Sequence, residues 1–114
     1  MPDDETDSPV LDTLALITAA SLGNCHLAER ELMLVRTAAL VATGAPASSY
    51  LLNVGAAFDA GITIDDVQDV LVAVAPIVGT SRVMSASAHI AEALGFVIAV
   101  AELEAELEDE EDAG

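Results

Sequence analysis

Few residues in this chain could do chemistry, and they are scattered along it. The sequence has one cysteine, Cys25, and two histidines, His26 and His89. Cys25 precedes a predicted helix, whose N-terminus would lower the pKa of a nearby thiol. That position is typical of a one-cysteine peroxidatic or redox-sensing residue. The commoner role of such a cysteine is structural, as a small residue buried in a loop.

His89 has a carboxylate within reach on its own predicted helix. Glu92 lies three residues further along, so the two side chains share a face. A histidine oriented by a carboxylate could act as a general base. An ordinary surface pair has the same spacing, so both interpretations stay open.

Arg36 lies midway along a predicted helix that is otherwise almost entirely apolar. Its guanidinium stays charged, so burial would require a partner. An acid from another helix could form a buried or subunit-interface ion pair. Three acids are candidates: Asp59, Asp69 and Glu92. The alternative is an arginine that binds the carboxylate of a ligand.

Three polar side chains on the next predicted helix could line a pocket together with Arg36. Ser49, Tyr50 and Asn53 are spaced by three and four residues, which places them side by side on a helix. For Asn53 the alternative is a plain polar residue within the core.

The composition excludes several classes of site. One cysteine and two histidines cannot build a zinc ribbon or an iron–sulfur centre. The sequence has no glycine-rich, lysine-ending phosphate loop. Three aromatic residues and no lysine give neither a base-stacking platform nor a basic patch. We therefore expect no metal, no cofactor and no nucleic-acid partner.

The formal charge of −17 is concentrated at the two ends of the chain. Residues 1–8 carry four acids and residues 102–112 carry eight. The charge pattern predicts an acidic disordered arm over 1–8, a single helical domain over 9–101 and an acidic tail over 102–114. The tail would keep an apolar protein soluble, or it would be the docking segment of an interaction module.

The chain is more apolar than a small core can absorb. Of its 114 residues, 54% are hydrophobic, and the mean hydropathy is +0.55. The longest apolar runs are about ten residues, well short of the roughly 18 that span a bilayer. We therefore predict a homo-oligomer rather than a membrane protein. An acidic N-terminus without a secretory pattern and a single cysteine indicate the cytoplasm.

Glycines at intervals of 16 to 21 residues divide the body into about six predicted helices. The first begins at Pro9 after the N-cap Ser8. Helices at about 28–43 and 47–60 follow, and a fourth begins after Thr63 in a capping-box pattern and should kink or end at Pro76. The fifth should end at Leu94 and the sixth should begin at Phe96.

Two segments, 28–40 and 56–67, resemble the carboxymuconolactone decarboxylase family, which includes alkylhydroperoxidase D relatives. The second segment carries the more specific pattern: Ala56, Ala57, Gly61, Thr63, Asp65, Asp66 and Val67. The resemblance covers residues 28–96 and also includes Gly79. It implies an all-α helical bundle that assembles into trimers or hexamers.

The positions that carry the family's chemistry hold other residues here. The Cys-x-x-Cys-x-x-x-His pattern of the peroxidase relatives falls on Pro46, Ser49 and Asn53. The decarboxylases use a histidine at the place of Asn53, and asparagine cannot transfer a proton near neutral pH. The resemblance thus implies a small-molecule-binding or scaffolding oligomer without the family's catalysis. A one-cysteine hydroperoxide-reducing enzyme that uses Cys25 is the alternative.

Overall fold

The computed structural model describes residues 8–113, which form five α-helices and no strand. The helices are α1 (Pro9–Asn24), α2 (Glu29–Thr43), α3 (Ala47–Asp59), α4 (Ile64–Val78) and α5 (Thr80–Ala113). The predicted all-α fold is confirmed, with five helices rather than six. The predicted acidic arm lies outside the described residues except for Ser8.

The predicted break at Gly95 is wrong. α5 runs without interruption for 34 residues, so the expected sixth helix and the acidic segment 102–113 are its C-terminal half. A glycine inside a helix costs only about 1 kcal/mol relative to alanine. The alanines, leucines and glutamates that follow are good helix formers, so the helix continues through Gly95.

α5 also changes the comparison with membrane helices. In the part of the chain that the structure describes, it alone is long and apolar enough to cross a bilayer by length and composition. Its N-terminal half contacts α2, α3 and α4, but only 11% of its apolar stretch is buried. Because the uninterrupted apolar runs in the sequence are short, the sequence alone did not indicate such a long apolar helix.

The starts of α1 and α4 follow the predicted capping chemistry. The Ser8 hydroxyl accepts a hydrogen bond from the Leu11 N–H at 3.4 Å, with Pro9 in the first turn. At α4, the Thr63 hydroxyl accepts from the Asp66 N–H at 3.1 Å. The Asp66 carboxylate accepts from the Thr63 N–H at 2.8 Å, which completes the capping box.

Arg30 ties the start of α2 to the start of α4. Its guanidinium makes a bidentate pair with the Asp66 carboxylate, at 2.9 and 2.7 Å. It also donates to the Gly61 carbonyl at 3.1 Å. Gly61 has φ +81°, a left-handed conformation that suits glycine at the end of α3. One arginine thereby fixes the α3–α4 turn on α2.

A second arginine fixes the other end of α2. Gly44 ends the helix in a left-handed conformation, with φ +71°. Arg82, in the first turn of α5, donates to the Ala42 carbonyl at 3.2 Å. The cation therefore lies at the negative end of the α2 dipole.

α4 ends close to a proline. Pro76 lies inside the helix, which stops two residues later, before Gly79.

The core is small and lies between α2, α3 and α5. Val41 is fully buried and forms a cluster with Tyr50, Ala86 and Ala93. The two alanines allow α5 to approach its neighbours closely. The sequence predicts that α2 is buried on every side, but Val35 remains 55% exposed in the single chain.

α1 stands apart from this bundle. It packs against none of the other four helices, and none of its residues is buried. Its link to the bundle beyond the connecting residues 25–28 is a 3.2 Å hydrogen bond from the Arg36 guanidinium to the Ser21 hydroxyl.

We predict that Asp66→Asn destabilises the fold near neutral pH and that the loss is smaller, though still present, at pH 3. Hydrogen bonds from Arg30 hold the pKa of the Asp66 carboxyl well below its usual range, helped by the Thr63 N–H. A lowered folded-state pKa stabilises the fold above the unfolded-state pKa of about 3.9, and this stabilisation fades as the pH falls further. Urea denaturation at pH 7 and at pH 3 measures the difference.

Asp65→Asn is the matched control, since Asp65 also lies in the first turn of α4 but makes no side-chain hydrogen bond in the described structure. Equal effects of the two substitutions at pH 7 would contradict the role given to Arg30 and Asp66.

Candidate functional site

A cavity of about 60 Å³ lies where α2, α3, α4 and α5 meet. Most of its wall is apolar, and no charged side chain among the described residues lines it. α3 contributes the largest part of the wall, while the α3–α4 turn and the start of α4 close one side. Because Arg30 holds that turn in place, the ion pair with Asp66 also shapes the cavity.

Tyr50 is the most informative residue of the wall. Its side chain is only 6% exposed, and its hydroxyl is buried with no hydrogen-bond partner among residues 8–113. A buried polar group without a partner is costly and needs an explanation. Burial raises the pKa of the Tyr50 phenol above its ordinary value, so the hydroxyl keeps its proton near neutral pH and can donate it.

Asn53 lines the cavity one helical turn further along α3. Its amide nitrogen donates to the Ser49 carbonyl at 2.9 Å. The amide oxygen has no partner from the described residues, so it can accept a hydrogen bond. Tyr50 and Asn53 are thus two residues of the wall that together hold one donor and one acceptor without a partner from the described residues.

The two threonines of the wall are already engaged. The Thr37 hydroxyl donates to the Met33 carbonyl at 2.8 Å. The Thr63 hydroxyl accepts from the Asp66 N–H in the capping box. Each threonine hydroxyl therefore has one partner already, whereas the Tyr50 hydroxyl and the Asn53 amide oxygen have none from the described residues.

The structure brings together some of the residues singled out in the sequence and separates the others. Tyr50 and Asn53 line the cavity, whereas Ser49, Arg36 and His89 are not part of its wall. Ser49 contributes only its backbone carbonyl, through the hydrogen bond from Asn53.

Arg36 forms no ion pair within its own chain over residues 8–113, and an ion pair across a subunit interface stays a prediction. In this range the salt bridge is that of Arg30 with Asp66, and Arg36 donates to the Ser21 hydroxyl of α1. The expectation of a buried pair within the chain was wrong because it assumed that the middle of α2 is enclosed by the bundle. That part of the helix faces α1, where the guanidinium is only partly buried.

His89 and Cys25 lie away from the cavity wall. The His89 Nδ1 atom is buried without a hydrogen-bond partner in the described range, and the exposed Glu92 forms no ion pair with it there. Cys25 is partly buried and follows the last residue of α1. No group of three potential metal ligands occurs in the described part of the chain.

The wall also contains residues that the sequence analysis did not select. Phe58 on α3 and Ile62 and Ile64 in the following segment complete the apolar surface. The signal that could have found Ile62 and Ile64 is the capping box at Thr63, because it fixes the backbone on either side of that residue.

The comparison with protein families identifies the family of this helical bundle. Residues 9–103 match the carboxymuconolactone decarboxylase family. The chain belongs to that family. Comparisons with curated proteins and with solved structures give no match.

The start of α3 is the part of the chain where the sequence predicts the positions of the family's reactive groups. Pro46 is the N-cap of this helix, and Ser49 and Asn53 follow in its first two turns. From the sequence, these three positions are assigned to the two cysteines and the histidine of the family's peroxidase relatives, and this assignment stays a prediction. The single cysteine of this member lies before α2.

We predict that Tyr50→Phe stabilises the unliganded protein by about 1 kcal/mol, because it removes a buried hydroxyl that has no partner. For a domain of this size the melting temperature should rise by roughly 4 °C. Differential scanning calorimetry measures the change. Thr37→Val is the matched control, since it removes a hydroxyl of the same wall that has a partner. A lower melting temperature for Tyr50→Phe would show that the hydroxyl is satisfied.

Proposed function

We propose that this family member binds a small, neutral, largely apolar molecule in the cavity where α2, α3, α4 and α5 meet. The observation that supports this most strongly is the Tyr50 hydroxyl, buried at the wall with no partner among residues 8–113. A ligand oxygen, such as a ketone or lactone carbonyl, would accept its proton. Binding would then offset the desolvation cost of burying this hydroxyl.

The absence of charge on the wall selects a neutral ligand. A carboxylate would lose its hydration on entering an apolar cavity, and no cationic side chain lines the wall to compensate. Arg36, the arginine considered for such a role, donates to Ser21 outside the cavity. The ligand class therefore differs from the anionic substrate that the family name implies.

The cavity is partly open, and its inner volume limits the group that fits inside it. About 60 Å³ accommodates a compact group with its oxygen rather than an extended molecule. Phe58 and Ile64 belong to the wall but are more than half exposed, so they form its apolar outer part. A longer ligand would lie against these two side chains.

The same residues argue against the family's chemistry. Asn53 can hold an oxygen or a proton donor in place, but it cannot act as a base near neutral pH. The raised pKa of Tyr50 keeps that phenol protonated. The cavity can thus orient a molecule by two hydrogen bonds without removing a proton from it.

The proposal includes a homo-oligomer that works in the cytoplasm. The all-round apolar surface of α1 supports self-association. The single cysteine supports a reducing compartment.

We predict that cyclopentanone binds. Cyclopentanecarboxylate, which bears a charged carboxylate group on the same five-membered ring, should not bind. A ligand of six non-hydrogen atoms should bind with roughly millimolar affinity. Isothermal titration calorimetry measures both compounds against the wild type and Tyr50→Phe. Weaker binding of the ketone by the variant is expected. Equal or tighter binding of the carboxylate would overturn the proposed ligand class.

We predict no decarboxylation of carboxymuconolactone and no hydroperoxide consumption with a thiol reductant. The absence of a base at the cavity and of a second cysteine is the reason. Both rates are measured with the purified wild type and with Cys25→Ser. Peroxide turnover that Cys25→Ser abolishes would establish the one-cysteine alternative, and decarboxylation by either protein would contradict the proposal directly.

A further inference from the structure

α1 is an apolar helix without a partner in its own chain. Its six large apolar side chains are 52–72% exposed: Val10, Leu11, Leu14, Leu16, Ile17 and Leu22. Asp12 is its one charged residue. A helix with apolar side chains on nearly every side is stable in water only when neighbours cover it. The described part of the chain offers no such cover.

The C-terminal half of α5 has an uncovered apolar stripe of its own. Phe96, Val100, Leu103 and Leu107 recur at intervals of four, three and four residues, which places them on one face of the helix. These four side chains, here called the α5 stripe, are 39–57% exposed. The stripe continues the face that Ala86 and Ala93 bury inside the bundle, at the same seven-residue spacing.

The total surface of the chain is too large for a compact monomer. The accessible area is 7892 Å², whereas a folded monomer of this mass exposes about 5,800 Å². The difference, roughly 2,000 Å² per chain, is in the range that subunits of permanent oligomers bury. α1 and the α5 stripe together supply apolar surface for such an interface.

The charges beside α1 and the α5 stripe indicate which of these surfaces pack together. Glutamates flank the stripe at positions 102, 104, 106 and 108, so two α5 helices side by side would bring these acids together. α1 carries only Asp12 and so meets the stripe with little repulsion. We propose that α1 of one copy packs on the α5 stripe of a second copy, which makes this pair of surfaces the subunit interface.

This interface goes beyond the proposed ligand binding and does not depend on it. The first test is the molar mass of the full chain by light scattering, for the wild type, Ile17→Glu and Ala19→Glu. Both variants add one charge to α1, but Ala19 lies on the opposite side of the helix from Leu14 and Ile17. Neither residue packs on the bundle, so circular dichroism should remain unchanged.

We expect the wild type at a multiple of 11.6 kDa. Ile17→Glu should weaken association by about tenfold or more, because a buried carboxylate would lack a partner, and Ala19→Glu should weaken it far less. A wild type that stays monomeric, or equal effects of the two variants, would overturn the proposal. So would a wild-type protein that remains monomeric and sediments with phosphatidylcholine vesicles.

The second test identifies the contacting helices. In a Cys25→Ser background, chains with Ile17→Cys are mixed with chains carrying Leu103→Cys and treated with a short bismaleimide. The proposal predicts dimers linked between position 17 of one chain and position 103 of another, identified by mass spectrometry. Links only between two copies of position 17, or only between two copies of position 103, would contradict the α1–α5 pairing.

Discussion

The Arg30–Asp66 pair is the contact on which the candidate site depends. A single guanidinium reaches both Asp66 of α4 and the Gly61 carbonyl at the end of α3, so three helices are fixed at one point. The same carboxylate completes the capping box of Thr63. Ile62, Thr63 and Ile64, which close the cavity, lie between these two anchored residues. The exposed ion pair contributes more through this geometry than an isolated surface pair would.

The cavity combines family architecture with altered chemistry. In this bundle of the carboxymuconolactone decarboxylase family, α3 contributes Tyr50 and Asn53 to the wall of a largely apolar cavity that no charged side chain of the described residues lines. In the proposed function, the Tyr50 hydroxyl and the Asn53 amide oxygen recognise and orient a carbonyl compound. The two residues lack the base or thiolate that would convert it. This proposal gives the chain the fold of its family without the family's reactions.

Local signals in the sequence predicted most of the fold. The caps at Ser8 and Thr63 and the left-handed Gly44 and Gly61 are encoded within a few residues, so the helix starts and most helix ends were predicted correctly. The predicted helix end at Gly95 was wrong because a glycine ends a helix only where the chain must turn. The contact of Arg36 with Ser21, the clamp formed by Arg30 and most of the cavity wall depend on residues 15 to 36 positions apart or on tertiary packing. No local pattern encodes those contacts.

The most direct test of the central claim uses the single tyrosine of the chain. Tyrosine labelled with ¹³C at Cζ gives one resonance, which reports the hydroxyl environment of Tyr50 alone. Titration with cyclopentanone should shift this resonance saturably, because the carbonyl accepts the buried hydroxyl proton, and cyclopentanecarboxylate should leave it in place. A resonance that does not respond to the ketone, in protein shown to be folded, would contradict the account of the cavity as a site for neutral carbonyl compounds.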